Sequence, residues 1–364
     1  MQRATVGTVL WLSLLYAAPT LAQVASGSPP PPPDDAPSIA VGVEIFPDYT
    51  YTLNPTTTDT DGNTIHFNQF NLTRGFINVT GRLSRLISFR VTPDVARETS
   101  LFSALTGSLE LRMQYAYAEF DFDDWMTPGS FARFGIQQTP WLDFIDNIYR
   151  YRFQGPTFAE REGFLMLGDA GASFHYELPS QYGDVHVGFY NGEGATRAEV
   201  NNRKSLQARG TLRPFAASTG ALHGLRASVF YDADAYVENA PRNRFIAAAT
   251  FENRHINAAA EFLDTADRLS ISRPEVDGRG YSIWATPRFP KGVEALLRYD
   301  HMKPNTALGS QVRNRTILGV AYWFVQEGRL ATALLIDYDG QTFDNVLPAQ
   351  PKQSRVAVNG LLRF

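Results

Sequence analysis

The chain has 364 residues, 44% hydrophobic and 13% aromatic, with 33 basic residues against 37 acidic ones. No basic block or basic domain is present, which argues against a nucleic-acid partner. The absence of cysteine excludes disulfide staples and thiolate metal sites.

The first residues read as a processing signal. Arg3 gives a short positive start, Val6 to Ala18 form an apolar core, and Thr20-Leu21-Ala22 supplies a small-x-small cleavage site. This is the pattern of a secretory signal peptide over 1–22, with an apolar run too short for a comfortable membrane anchor. Its removal takes Arg3 and leaves 32 basic against 37 acidic residues, a net charge of −5. Residues 23–38 then form a Ser/Gly/Pro-rich leader with five consecutive prolines, Pro29 to Pro33. Such a run is a stiff polyproline II spacer, expected as a periplasmic tether.

From Ile39 onward the dominant period is two. In 39–53, Val41, Val43, Ile45, Tyr49, Tyr51 and Leu53 share one parity. In 108–117, Leu109, Leu111, Met113, Tyr115 and Tyr117 alternate with Ser108, Glu110, Arg112, Gln114 and Ala116. The same alternation recurs in 205–213 and 225–234, and it separates side chains onto the two faces of a strand. Two segments change phase, from Phe70 and Leu72 to Ile77 and Val79, and from Tyr115 and Tyr117 to Phe120 and Phe122. One extra residue in each strand, a bulge, produces that switch.

Sixteen strands are predicted, at 39–53, 66–83, 86–95, 108–122, 130–138, 171–179, 184–191, 203–214, 222–235, 243–252, 254–263, 278–289, 292–302, 312–325, 329–339 and 354–364. Connectors after even strands are short and most of those after odd strands are long, the rim asymmetry of bacterial membrane barrels. No run after the signal approaches the roughly twenty apolar residues of a spanning helix. A barrel needs only a one-sided apolar surface, so 41 Phe and Tyr residues spread through alternating runs suffice. The closing run ends on Phe364, like the terminal aromatic that sorts barrels to the outer membrane. The expected fold is therefore all-β: a transmembrane antiparallel barrel of about sixteen strands over 39–364.

About sixteen strands leave a water-filled lumen, and charged strand residues must face it, because Arg or Lys against mid-membrane lipid costs about 2–4 kcal/mol. The connector 139–170 carries Trp141, Phe144, Ile148, Tyr149, Tyr151, Phe153 and Phe158, too apolar for a solvated loop. Folded inward, it would narrow the lumen, with Arg150 and Arg152 among its charges; an external cap or a subunit contact is the alternative. With 29 Arg against 4 Lys, the inward-parity cations are Arg112, Arg133, Arg209, Arg213, Arg226, Arg244, Arg298 and Arg313. They are opposed by Glu110, Glu177, Asp232, Asp234, Glu261, Asp337 and Asp339. Guanidinium rings suit anion pores.

Enzymatic signatures are lacking. The six histidines, including His175 and His186, are scattered. No Gly-x-Ser-x-Gly elbow and no compact metal-ligand spacing occurs. Neither a metal nor a cofactor is expected.

The stretch Phe70-Asn-Leu-Thr-Arg-Gly-Phe-Ile-Asn-Val-Thr-Gly-Arg-Leu, followed by Leu86-Ile-Ser-Phe-Arg-Val-Thr-Pro-Asp, resembles the early hairpin of the phosphate-selective porin O/P family. Gly188-Phe-Tyr-Asn-Gly-Glu-Gly resembles the strand-to-loop passage midway through such porins. The resemblance implies a homotrimeric sixteen-stranded porin with a constriction loop and basic pore residues, passing small hydrophilic solutes. Phosphate specificity does not follow, since lysines are few and the 139–170 segment is acid-balanced. The expected function is a passive pore in the outer-membrane lipid of a Gram-negative cell, with anion preference as the finer expectation. The alternatives are a channel selective for an organic solute, with the aromatic residues of 139–170 as its sliding surface, and an outer-membrane lipid hydrolase.

Overall fold

The computed structural model describes residues 37–98 and 103–364; the expected signal peptide and the polyproline run lie outside the described residues. Sixteen antiparallel strands close on themselves. In chain order they are β1 (Ser38–Asn54), β2 (Asn68–Ser84), β3 (Ile87–Arg97), β4 (Leu109–Asp121), β5 (Phe131–Gln138), β6 (Gly168–Glu177), β7 (Gly183–Tyr190) and β8 (Ser205–Leu212). They continue as β9 (Leu225–Val237), β10 (Ala240–Glu252), β11 (Ile256–Asp267), β12 (Val276–Pro287), β13 (Val293–Lys303), β14 (Val312–Glu327), β15 (Leu330–Asp344) and β16 (Gln353–Arg363). Closure is the pairing of β1 with β16, in which Tyr49 opposes Val358 and Glu44 opposes Arg363. It is finished by Val43 and Phe364, which exchange two backbone hydrogen bonds of 3.0 Å.

Alternation sorts the side chains. Leu111, Phe134, Val320 and Ile336 point outward and are 60–69% exposed. Their inward neighbours Asp337, Asp339, Arg209, Arg244 and Arg298 are buried. An apolar outer belt around a charged interior is the inverse of a soluble protein and fits hydrocarbon surroundings. No described helix is long and apolar enough to cross a membrane, so the strands alone would do so.

Both predicted bulges exist, and each sits opposite a proline. Phe46 pairs with Arg74 but Pro47 with Leu72, leaving Thr73 as the extra residue of β2. Thr92 pairs with Tyr115 but Pro93 with Met113, leaving Gln114 extra in β4. Proline offers the ladder no N–H donor, and the partner strand accommodates the gap by an added residue. The second bulge lies earlier than the sequence suggested. Tyr115 and Tyr117 therefore do not share the face of Met113. Tyr115 is turned inward and buried, with the Arg90 guanidinium 4.6 Å from its ring centre.

The rim bearing both ends of the barrel has two-residue turns between β2 and β3 and between β14 and β15. The opposite rim carries most of the longer loops, although 122–130 and 213–224 on the first rim are also long; on the opposite rim β9 and β10 run further than expected and meet in Glu238-Asn239, with Asn239 in the left-handed region at φ 62°.

One inward row requires glycine. Gly135 pairs with Tyr117 and Gly171 in adjacent strands. It has φ +126°, and a Cβ there would lie 2.3 Å from the Ala116 carbonyl oxygen. Gly135→Ala is expected to lower stability by about 1–3 kcal/mol through backbone strain, read as an earlier urea unfolding midpoint in detergent micelles. Gly210→Ala, where a Cβ meets nothing within 4 Å, should leave the midpoint unchanged.

Candidate functional site

Between β5 and β6 the chain forms α1 (Pro140–Tyr149) and α2 (Phe158–Arg161). Pro140 occupies the first turn, where its missing N–H costs nothing. Trp141, Leu142, Ile145, Ile148 and Tyr149 then fall on one stripe and are buried, as the 3.6-residue repeat requires. Asp143, Asp146 and Asn147 fall on the other side. The helix ends where Arg150 turns left-handed at φ 60°.

The segment is tied to side chains from the inner face of most of the barrel. Arg133 of β5 meets Asp143 at 3.0 Å, and Arg209 of β8 donates to the Pro140 carbonyl at 3.0 Å. Asn257 of β11 donates to the Ile148 carbonyl at 2.7 Å. On β13, Glu294 accepts from Arg150 at 2.7 Å and from the Tyr151 hydroxyl at 2.9 Å, while Arg298 donates to the Pro156 carbonyl at 2.8 Å. Arg313 of β14 holds Glu162 at 2.6 Å. On β15, Asp337 accepts from Gln154 at 3.2 Å and Asp339 from Arg161 at 3.4 Å. Contacts this widely spread around the wall put the segment in the lumen.

Its rings pack rather than line a surface. Trp141, Tyr149 and Tyr151 are 0% exposed. Tyr149 meets Trp284 edge-on at 5.1 Å, and Tyr151 stacks on Phe153 at 5.4 Å. Such pairs contribute about 0.5–1.5 kcal/mol each beyond burial. Buried rings cannot serve as a sliding track for a solute, so the surface supposed for an organic-solute channel is absent from this part of the wall.

The packing leaves its largest luminal space beside β1–β5. A cavity of about 950 Å³ opens at the rim bearing the chain ends, reached by Arg82, Arg90, Glu119, Arg133 and Asn147. Arg90, Asn147 and Arg363 also border the next cavity, of about 200 Å³, between α1 and Phe46, Phe76 and Tyr115. Four guanidinium groups reach this narrow space, from Arg90, Arg150, Arg152 and Arg363, against the carboxylates of Glu44 and Asp146. Arg150 is paired with Glu294, and Arg152 with Asp146 and Glu160. Arg90 bonds only neutral groups among the described residues: Thr92, Gln138 and Asn78. Burial pushes the Asp146 carboxyl up to about 7, against the opposing pull of Arg152 and with the support of Glu160.

The sequence-derived cations thus divide. Arg150 and Arg152 meet at the narrow cavity. Arg209, Arg244 and Arg298 face inward but lie under the segment, 5% or less exposed, paired with Asp184, Asp267 and Asp300. Arg213 and Arg226 border a separate cavity of about 260 Å³ with Glu252. Arg112 is half-exposed beside Asp94 at 3.4 Å. Arg90 and Arg363 were missed, although Arg90 shares parity with Ser88, Thr92 and Asp94, a legible sign of an inward position. None of the six histidines hydrogen-bonds a serine hydroxyl among the described residues.

No protein-family model and no curated protein matches this sequence. Solved structures do match. The in-vitro folded trimer form of OmpT, an outer membrane protein of Vibrio cholerae, is 11% identical, with 91% of this chain and 100% of that chain covered and a TM-score of 0.58. An anion-selective porin from Comamonas acidovorans is 11% identical over 90% of this chain and 100% of its own, with a TM-score of 0.59. The outer membrane channel DcaP of Acinetobacter baumannii is 13% identical over 90% and 97%, with a TM-score of 0.57. At these identities the likeness is one of fold alone, that of a closed outer-membrane β-barrel.

Glu294 takes Arg150, Tyr151 and, at 3.3 Å, Arg288. Glu294→Ala should therefore leave two guanidinium groups without their carboxylate. Removing one partner of a buried pair costs about 3–5 kcal/mol, so urea unfolding in micelles should shift by that amount. A shift below about 1 kcal/mol would mean that the strap carries little load.

Proposed function

We propose that this chain is a passive outer-membrane pore for small hydrophilic solutes, with mild preference for anions and no catalytic chemistry of its own. The observation carrying it is a closed sheet with an apolar outer belt whose charged interior is narrowed by residues 140–165 to a space reached by four guanidinium groups and two carboxylates. In a low-dielectric constriction one charge pair at 4 Å is worth about 4 kcal/mol, against about 1 in bulk water, so local placement outweighs the small net negative charge of the chain. Arg90, which donates only to neutral acceptors, supplies the uncompensated positive charge; phosphate and carboxylate fit its fork. Export through a cleaved signal over 1–22 and assembly as a homotrimer belong to the same proposal. The trimer form of the Vibrio cholerae protein supports the latter.

Single-channel recording under a salt gradient tests it. The expected reversal potential favours anions, and Arg90→Ser, or Arg150→Ala with Arg152→Ala, should move it toward cations. A folded barrel passing no steady current would end the pore reading; a potential indifferent to all three arginines would end the account of selectivity.

Asp146 adds a pH dependence. Its carboxyl, raised to about 7, gains a proton as pH falls through that value and loses its negative charge. Anion preference should rise in that direction, and Asp146→Asn should fix the low-pH value at every pH. A wild-type reversal potential flat across this window would contradict it.

A further inference from the structure

The hairpin of β6 and β7 places four ligand-type side chains in one inward block. His175 opposes His186, and Glu177 opposes Asp184, across the two strands. On each strand the pair is separated by one outward residue, so His-x-Glu faces Asp-x-His. We propose that this block is a divalent metal site for an ion of borderline softness, such as Zn²⁺ or Cu²⁺, with His175, Glu177 and Asp184 as its ligands and His186 packed beside the first of them.

The ligand atoms of the first three already lie within 4.8 Å of one another. Bonds of about 2.0–2.2 Å to nitrogen and oxygen need only small side-chain rotations from there. The His175 ring is set for the purpose. Its Nδ1 lies 3.0 Å from the Gly129 carbonyl, which can only accept, so Nδ1 carries the proton. That leaves Nε2 directed at Asp184 Oδ2, 3.4 Å away. A ring nitrogen fixed by a backbone carbonyl while the other faces a carboxylate is the outer-shell arrangement of metal-binding histidines.

The second, independent observation is His186. It is 0% exposed, neither ring nitrogen has a hydrogen-bond partner, and its ring centre is 5.5 Å from that of His175. Buried polar groups are normally satisfied, so an unpartnered imidazole packed against the His175 ring is what a missing ligand leaves. Imidazole donors favour zinc or copper over calcium or magnesium. The cavity of about 260 Å³ that contains His175, Glu177 and Asp184 gives an entry path. Arg209, 2.5 Å from Asp184 Oδ2, and Arg213 and Arg226 nearby weaken any cation's affinity, so the site is expected to bind more weakly than a closed structural zinc site. The inference stands apart from the pore reading, since it concerns ligand geometry only.

The test uses the untagged, folded barrel in detergent micelles, titrated with Zn²⁺ against a chromophoric chelator. One ion per chain is expected, with affinity reduced about tenfold or more by His175→Ala or Asp184→Asn and unchanged by His255→Ala on an exposed turn. Glu177→Gln replaces His175→Ala if that variant does not fold. Wild-type barrel with one equivalent of Cu²⁺ should show nitrogen hyperfine coupling in its electron paramagnetic resonance spectrum. Equal Zn²⁺ affinity in wild type and variants, or a copper spectrum with oxygen ligands alone, overturns the proposal.

Discussion

A closed sheet has no free edge, so every wall residue commits its side chain either to the outside or to the lumen, and nothing can be averaged between them. With hydrocarbon outside, ionic groups have one direction available. That crowding explains the density of ion pairs on the inner wall. Arginine is suited to it because its planar fork stays charged and can serve several acceptors at once. Arg133 does so with Glu119 and Asp143, and Arg315 with Asp339 and Gln341.

The luminal segment answers a second constraint. A sixteen-stranded wall encloses more space than its own side chains fill, and the apolar rings of 141–158 need somewhere to be buried. Packing against Trp284, Trp323 and Phe230 satisfies both. Since apolar contact alone does not fix orientation, carbonyl groups of the segment are held by Arg209, Asn257 and Arg298, and its own cations by Glu294 and Asp339. The largest remaining space lies beside β1–β5, where Arg82, Arg90, Glu119 and Arg133 reach it.

Strand number, order and inward direction could be read from period-two alternation because one chemical distinction, apolar against polar, maps onto one geometric one. Arg209, Arg244 and Arg298 were assigned the correct face by that means. Parity carries no information on depth under another element, so their burial beneath the luminal segment was invisible. Arg90 lies on a strand whose inward set Ser88, Arg90, Thr92 and Asp94 is as polar as that of any neighbour, so its position was legible by the same rule. The His175, Glu177, Asp184 and His186 block escaped because motif spacing along the chain cannot register pairs that meet only across a hairpin.

The added residues Thr73 and Gln114 have an implication for how such walls diversify. Beyond each one, the strand presents to the interior what it would otherwise show to lipid: Arg74 and Phe76 in one case, Tyr115 and Tyr117 in the other. A single-codon insertion or loss opposite a proline thereby exchanges the contents of half a strand without altering any other letter. Lineages carrying barrels of this kind could re-line their channels in one genetic step, provided that the residues exchanged tolerate both surroundings, as tyrosine with its apolar ring and polar tip does.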